Sequence, residues 1–232
     1  MEYIFERTIR LIGSENLSKL KNAHVVICGI GGVGSYVLEA LARVGIGKFT
    51  LIDKDVVDIT NINRQIIALQ SNVGVDKVEV AKNRILDINP DIEVVTKREN
   101  ICRGNISDIL GVNTLDYVVD CVDNVEAKLS IIVESNKRNV ECISCMGMGN
   151  KLNPLDIKIS DISKTKVCPL AKIIRKKLRD IGILHQKVVY SEEVPIKNAE
   201  FNDNILGSIS FVPSTAGLVI ASQVVKDLIN RD

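Results

Sequence analysis

The segment Val25-Val26-Ile27-Cys28-Gly29-Ile30-Gly31-Gly32-Val33-Gly34 constrains this chain more than any other. A short β-branched run stops at a glycine, and after Ser35 the residues Val37, Leu38, Leu41 and Ala42 recur at helical spacing. The pattern predicts a strand, a tight turn and a helix. Gly29, Gly31 and Gly34 follow the G-x-G-x-x-G spacing: the turn lets a phosphate approach the backbone, and the helix N-terminus offers aligned N–H groups and the positive end of its dipole. Lys48-Phe49-Thr50-Leu51-Ile52 predicts a second strand ending at Asp53, so residues 24–53 have the size of a βαβ unit with parallel strands. Asp53 stands 19 residues beyond Gly34, where a carboxylate accepts hydrogen bonds from ribose hydroxyls. Gly29, Gly31, Gly32, Gly34 and Asp53 are therefore candidate nucleotide-binding residues. There is no G-x-x-x-x-G-K-S/T sequence, which excludes a P-loop enzyme.

The same alternation continues. Val75, Val78, Ala81, Ile85 and Ile88 form a helical stripe that Pro90 ends. Ile92 to Val95, Leu115 to Asp120 and Glu141 to Cys145 read as strands, with a helix up to about Arg138 between the last two. Residues 1–150 thus predict an α/β core, a doubly wound, mostly parallel Rossmann-like sheet. After Gly147 and Gly149 the pattern changes. Residues 151–206 read as an inserted α+β segment: strands at Ile157 to Ile159 and Lys187 to Tyr190 flank a basic helix, and Val194 to Asn204 is an irregular loop. Residues 207–232 return to the core as a strand over Gly207 to Val212 and a last helix opened by Pro213, making one compact domain overall.

Composition narrows the function. With 46% hydrophobic and 25% charged residues the chain is not disordered, and 30 Lys plus Arg against 29 Asp plus Glu leave no global field toward nucleic acid or membrane. Only 3% of residues are aromatic and Trp is absent, which argues against recognition by many base-stacking platforms. The six cysteines, Cys28, Cys102, Cys121, Cys142, Cys145 and Cys168, are scattered with no signal-like N-terminus before them, the pattern of reduced thiols in a cytoplasmic protein. The apolar run Phe211 to Val225 falls short of the ~20 residues of a membrane span. It reads as a buried terminal helix, so no membrane partner is expected.

The residues beyond Asp53 suit a triphosphate better than a nicotinamide. Asn61, Asn63, Arg64, Gln65 and Lys77 gather two cations and several amides, and Arg and Lys bind phosphate oxygens where hydride transfer needs neither. Asp120 and Asp123 put carboxylates at the carboxyl end of a parallel strand, the ligand-binding edge of such sheets, with hard oxygens suited to Mg²⁺. Asp123 or Asn124 also fits a helix N-cap.

The ordered set Gly29-x-Gly31-Gly32-x-Gly34, Asp53, Asn63-Arg64-Gln65, Lys77 and Asp120-x-x-Asp123-Asn124 resembles the adenylating superfamily of ubiquitin-activating enzymes and their bacterial relatives of thiamin and molybdopterin synthesis. In the second half, Asp161 to Thr165, Val188 to Glu193 and Gly207 to Ser214 resemble the branch that dehydrates threonylcarbamoyladenosine in tRNA. The resemblance implies ATP and Mg²⁺ as cofactors, with a monovalent cation whose ligands it does not assign. It implies ATP-dependent cyclisation of the tRNA modification through an acyl-adenylate. Gly31 and Gly32 would line the nucleotide loop, Asp53 hold ribose, Asn63, Arg64 and Lys77 hold phosphates, and Asp123 serve as the Mg²⁺-binding and catalytic carboxylate with Asp120 beside it. A homodimer is implied, with Arg7, or alternatively Arg10, entering the partner's site. A sulfur-transfer protein is a further partner to consider.

Seven Lys or Arg and no acid lie between Lys164 and Arg179. Lys172, Arg175, Lys176 and Arg179 fall on one side of a helix, and Leu170, Ile173, Ile174 and Leu178 on the other. Lys164, Lys166, Lys172, Arg175, Lys176 and Arg179 are therefore candidate tRNA contacts. Cys142-x-x-Cys145 has half of a zinc spacing without its second pair, and a strand sends the two side chains to opposite faces, so no zinc is expected. Cys168 reads as a small residue before Pro169, and His24 and His185 have no evident catalytic partner. The competing readings are adenylation of the C-terminus of a small ubiquitin-like sulfur carrier, an NAD-dependent dehydrogenase, and a non-catalytic RNA-binding scaffold.

Overall fold

The structure is a computed structural model that describes residues 3–111, 114–197, 200 and 205–231. Its strands are β1 (His24–Cys28), β2 (Lys48–Ile52), β3 (Glu93–Lys97), β4 (Tyr117–Asp120), β5 (Glu141–Cys145), β6 (Ile157–Asp161) and β7 (Lys187–Ser191). They form one seven-stranded sheet in the order β3-β2-β1-β4-β5-β7-β6, parallel except where β6 runs against β7. The helices are α1 (Glu6–Ile12), α2 (Ser14–Asn22), α3 (Gly34–Val44), α4 (Lys77–Ile88), α5 (Ile106–Leu110), α6 (Val125–Lys137), α7 (Pro169–Asp180) and α8 (Phe211–Ile229).

Strand residues alternate between two faces, and each face is covered by helices. Val25, Ile27, Phe49, Leu51, Tyr117 and Val119 pack with α3, α4 and α8, while Val26, Cys28 and Val118 pack with α5 and α6, and Val188 and Tyr190 with α6 and α7. In α3 the periodic residues Val37, Leu38 and Leu41 are fully buried, each worth about 1.5–3 kcal/mol relative to exposure. Cys142 and Cys145 join different face clusters, as residues an odd number apart on a strand must.

The segment 151–206 is less separate than the sequence suggests: β7 pairs with β5 and β6 with β7, so the segment widens the core sheet. Part of the irregular stretch expected over 194–204 lies outside the described residues. The strand expected over Gly207 to Val212 is absent from the structure. Residues 205–209 are irregular and α8 already begins at Phe211. β6 already occupies the place beside β7, and this segment runs to the loop after β5 rather than to the outer edge of β6. Its backbone pairs instead with a loop, Asn150 N–H donating to Gly207 O (2.8 Å) and Gly207 N–H to Asn150 Oδ1 (2.6 Å). Pro213 sits within the first turn of α8, where an N–H has no helical partner in any case.

α8 has the length and mean hydropathy of a membrane span, but Val212, Ala216, Ile220, Ala221, Val224 and Leu228 are buried. Its contact with α3 is close enough that a Cβ on Gly217 would stand 2.6 Å from Val33 O and 2.8 Å from Tyr36 Cβ. In α7 the buried stripe is Ala171, Ile174 and Leu178; Ile173, expected with them, is 46% exposed because one helix face of this width suffices to reach α6.

Candidate active site at the carboxyl edge of the sheet

The glycine turn leaves β1 at the centre of the sheet's carboxyl edge. Gly29 has φ +88°, and a Cβ there would meet the Cys121 backbone at 2.9 Å, so the turn and the loop after β4 can touch only through glycine. Gly34 is pressed against Gly29 O, where a Cβ would stand at 1.9 Å. Gly31 faces open space, its nearest neighbour being Gln65 Nε2, 4.0 Å from an added Cβ. Gly32 lies beneath Pro213 and the Arg64 stem, at 3.2 and 3.5 Å on the same measure. The first turn of α8 thus closes one side of the site, which local sequence patterning does not reveal.

Asp53 ends β2 beside this turn. Its Oδ2 accepts the Ile30 N–H (2.6 Å) and its Oδ1 the Asp55 N–H (2.9 Å), so the carboxylate is locked in place with lone pairs left for a ribose. Asn63 Nδ2 donates to Ser208 O (3.2 Å), and Arg64 Nη1 donates to Thr60 O and Asn63 Oδ1, both at 2.9 Å. These bonds leave the remaining guanidinium donors of Arg64 for phosphate oxygens. Gln65 is buried beside Gly31, and its Oε1 has no partner among the described residues. Lys77 opens α4, nearly buried, with Nζ 3.2 Å from Asp55 Oδ2. Asp55, absent from the sequence-based set, holds this lysine at the edge. Asp123 is exposed, with no hydrogen bond or ion pair among the described residues.

Four of the expected site residues are already bonded within the fold. Asp120 is wholly buried, with Lys128 Nζ 2.8 Å from its Oδ2, so its carboxylate points into the core behind the site. Burial pushes its carboxyl above the usual range, against the pull of the Lys128 ammonium. Asn124 caps α6, its Oδ1 accepting from Glu126 N–H (2.9 Å) and Ala127 N–H (3.0 Å). Asn61 is buried and its Oδ1 accepts the Asp58 N–H (3.2 Å), closing a capping box on the short 3₁₀ turn Ile59–Asn61. Arg175 donates to Thr165 O (2.8 Å) and Thr165 Oγ1 (2.6 Å), stapling α7 to the preceding turn. A sequence shows which residue types stand near an edge; it does not show which of their atoms the backbone already claims. Lys128 did carry a signal, because it occupies a stripe position with Ile131, Ile132 and Ser135.

The other candidates keep their availability. Lys164, Lys166, Lys172, Lys176 and Arg179 are exposed, as is Lys177 among them. Arg7 is exposed and unpaired among the described residues, whereas Arg10 pairs with Glu6 at 2.6 Å. His24 lies at the start of β1, its Nε2 2.9 Å from Thr50 Oγ1 and its Nδ1 3.2 Å from Thr114 O. His185 lies in a loop beside Asp161 (3.2 Å), and Cys168 is buried at the start of α7.

A cleft of about 500 Å³ opens at the opposite edge, between Cys142, Ser160 and His185. Its charges are already matched: Lys187 Nζ lies 3.0 Å from Glu141 and 2.6 Å from Asp227, and Tyr117 donates to Asp227 at 2.6 Å. Volume alone does not mark the site; unmatched groups at the carboxyl edge do.

Residues 5–232 match the ThiF family. The chain is 42% identical to the tRNA threonylcarbamoyladenosine dehydratase of Bacillus subtilis, across 99% of this chain and 96% of that protein. Among solved structures it is similar to the Escherichia coli tRNA N6-threonylcarbamoyladenosine dehydratase in complex with AMP (TM-score 0.92) and with ATP (TM-score 0.91). In both cases the identity is 35% over 98% of this chain and 94% of that one. The glycine turn, the groups gathered around it and this likeness along almost the whole length agree: the chain belongs to the ThiF family.

Proposed function

We propose that this chain is an ATP-dependent tRNA threonylcarbamoyladenosine dehydratase. One observation carries the reading: around the glycine turn Asp53, Arg64, Gln65 and Asp123 retain unmatched hydrogen-bonding or charged atoms, in a chain of this family similar over its length to dehydratases solved with ATP and AMP. A carboxylate is a poor electrophile because its oxygen leaves badly. Attack of the threonylcarbamoyl carboxylate on the α-phosphate of ATP expels pyrophosphate and forms an acyl-adenylate. An atom of the same modification then attacks the acyl carbon, AMP departs with the former carboxylate oxygen, and the modified nucleoside has lost the elements of water. The second step is intramolecular, so proximity supplies much of its rate.

Asp53 orients the ribose, and Arg64 with Lys77 neutralises the phosphates. A hard carboxylate with phosphate oxygens suits Mg²⁺, which would be held by Asp123 and would screen the charge developing on the departing pyrophosphate. The exposed basic face of α7, Lys172, Lys176 and Arg179 with Lys164 and Lys166, contacts the tRNA backbone, while Arg175 serves the fold. Arg7, rather than the paired Arg10, crosses to the partner's site in a homodimer, and the protein works in the cytoplasm. The test is incubation with ATP, Mg²⁺ and tRNA carrying the open modification, followed by nucleoside mass analysis. The expected product is lighter by one water, with AMP formed in step; an unchanged nucleoside mass refutes the reading.

A further inference from the structure

Lys128, Asp120 and Ser144 form a closed polar cluster that the reaction leaves without a part. Neither charged side chain has any exposure. All three ammonium protons of Lys128 are placed: Nζ lies 2.8 Å from Asp120 Oδ2, 3.2 Å from Ser144 Oγ and 2.8 Å from Cys145 O. Asp120 Oδ2 also accepts the Ser144 hydroxyl, and its Oδ1 accepts the Val122 N–H at 3.1 Å. Such a cluster is a poor device for stability, because removing two charges from water offsets their attraction and apolar groups of the same volume often do as well. What the cluster does provide is position. It ties the ends of β4 and β5 to the first turn of α6, and between Asp120 and α6 lie only Cys121 to Asn124, the loop that carries Asp123. The same loop is held to the glycine turn by Cys121 N–H donating to Cys28 O (2.8 Å), so a shift at Asp120 would be felt where the nucleotide sits.

We propose that Lys128 is a positioning residue: through Asp120 and Ser144 it fixes the Cys121 to Asn124 loop so that Asp123 is presented to the nucleotide phosphates. This rests on the function proposed above. It extends the site to residues that touch no substrate.

The test replaces the cluster as a unit, with Asp120→Leu, Lys128→Met and Ser144→Ala in one full-length variant, so that no single charge is left buried alone. The variant is expected to melt close to the parent and to bind ATP with parental affinity and stoichiometry, since Asp53, Arg64 and Lys77 lie on other elements. Hydrogen exchange of the amides at residues 121–124 should quicken. Turnover per bound ATP should fall about 10–100-fold, with a raised Mg²⁺ requirement, the range seen when the supports of a metal-holding group are removed. Parental exchange and parental turnover overturn the proposal. Ser144→Ala alone guards against a variant that does not fold: it keeps the ion pair and removes one tether. Faster loop exchange with a smaller fall in turnover sustains the proposal, whereas an unfolded triple variant beside a parental Ser144→Ala means that the cluster holds the fold and not the loop. If the parent itself leaves the modified tRNA unchanged, the function fails, and the loop exchange still reports on Lys128.

Discussion

The two edges of the sheet are built from similar residue types and put them to opposite uses. At the amino edge Tyr117, Asp227, Lys187 and Glu141 form a chain of matched groups, and both ring nitrogens of His24 have partners. At the carboxyl edge, among the described residues, Asp123 has no partner, Gln65 Oε1 is unmatched, and Arg64 bonds through one nitrogen. A matched network lowers the energy of the fold and has nothing left for a ligand. Unmatched groups cost stability unless a ligand completes them, which is why they mark the site although a cleft of about 500 Å³ lies at the other edge.

The strongest break of this contrast is Asp123→Ala. It should cut ATP-dependent conversion of the modified tRNA by about 10²–10³-fold, as expected for loss of a group acting on transition-state charge, with no fall in melting temperature because its carboxylate has no bond among the described residues. Steady-state kinetics beside thermal melting checks both halves. Arg64→Ala comes next, with kcat/KM for ATP about 10–100-fold lower, the value of one or two charge-assisted hydrogen bonds. At the amino edge the effect should move from rate to stability: Tyr117→Phe removes the bond to Asp227 and should cost about 1 kcal/mol of unfolding free energy with unchanged turnover, read by urea denaturation.

The smallest effect is a pH slope. Burial holds the His24 imidazole below its ordinary value of 6.5, outweighing the bond to Thr114 that favours the proton. The unfolded chain takes up this proton first on acidification, so the fold loses stability as pH falls from about 6.5 through the lower folded value. Melting temperatures between pH 7 and 5 should show this slope in the parent and a shallower one in His24→Gln.

Much of the core was legible in the sequence because periodicity reports burial directly. The β-branched run before Gly29 and the strand at Glu141 to Cys145 became the expected elements, and the stripe from Val75 to Ile88 became α4 with Val75 left exposed ahead of it. The segment Gly207 to Val212 shows the limit: its residues suit a strand, but its backbone bonds to Asn150 in the loop after β5, a long-range contact that local pattern does not report. At the site, the placement of the glycine turn and of Asp53 beside it was legible because both lie within one βαβ unit. Asp120, Asn124, Asn61 and Arg175 hold bonds within the fold that the sequence did not show, because the type and place of a polar residue say nothing of which atoms are already bonded.

The sequence by itself determined the glycine turn, the doubly wound order and the charged groups delivered to one edge, since each follows from local spacing and chain direction. Tertiary structure alone decided that Asp120 turns inward to Lys128 while Asp123 stays exposed, that α8 lies over Gly32, and that Lys77 leans on Asp55. These depend on contacts between residues far apart in the chain, where hydrogen bonds and packing choose among positions that local propensity leaves equivalent.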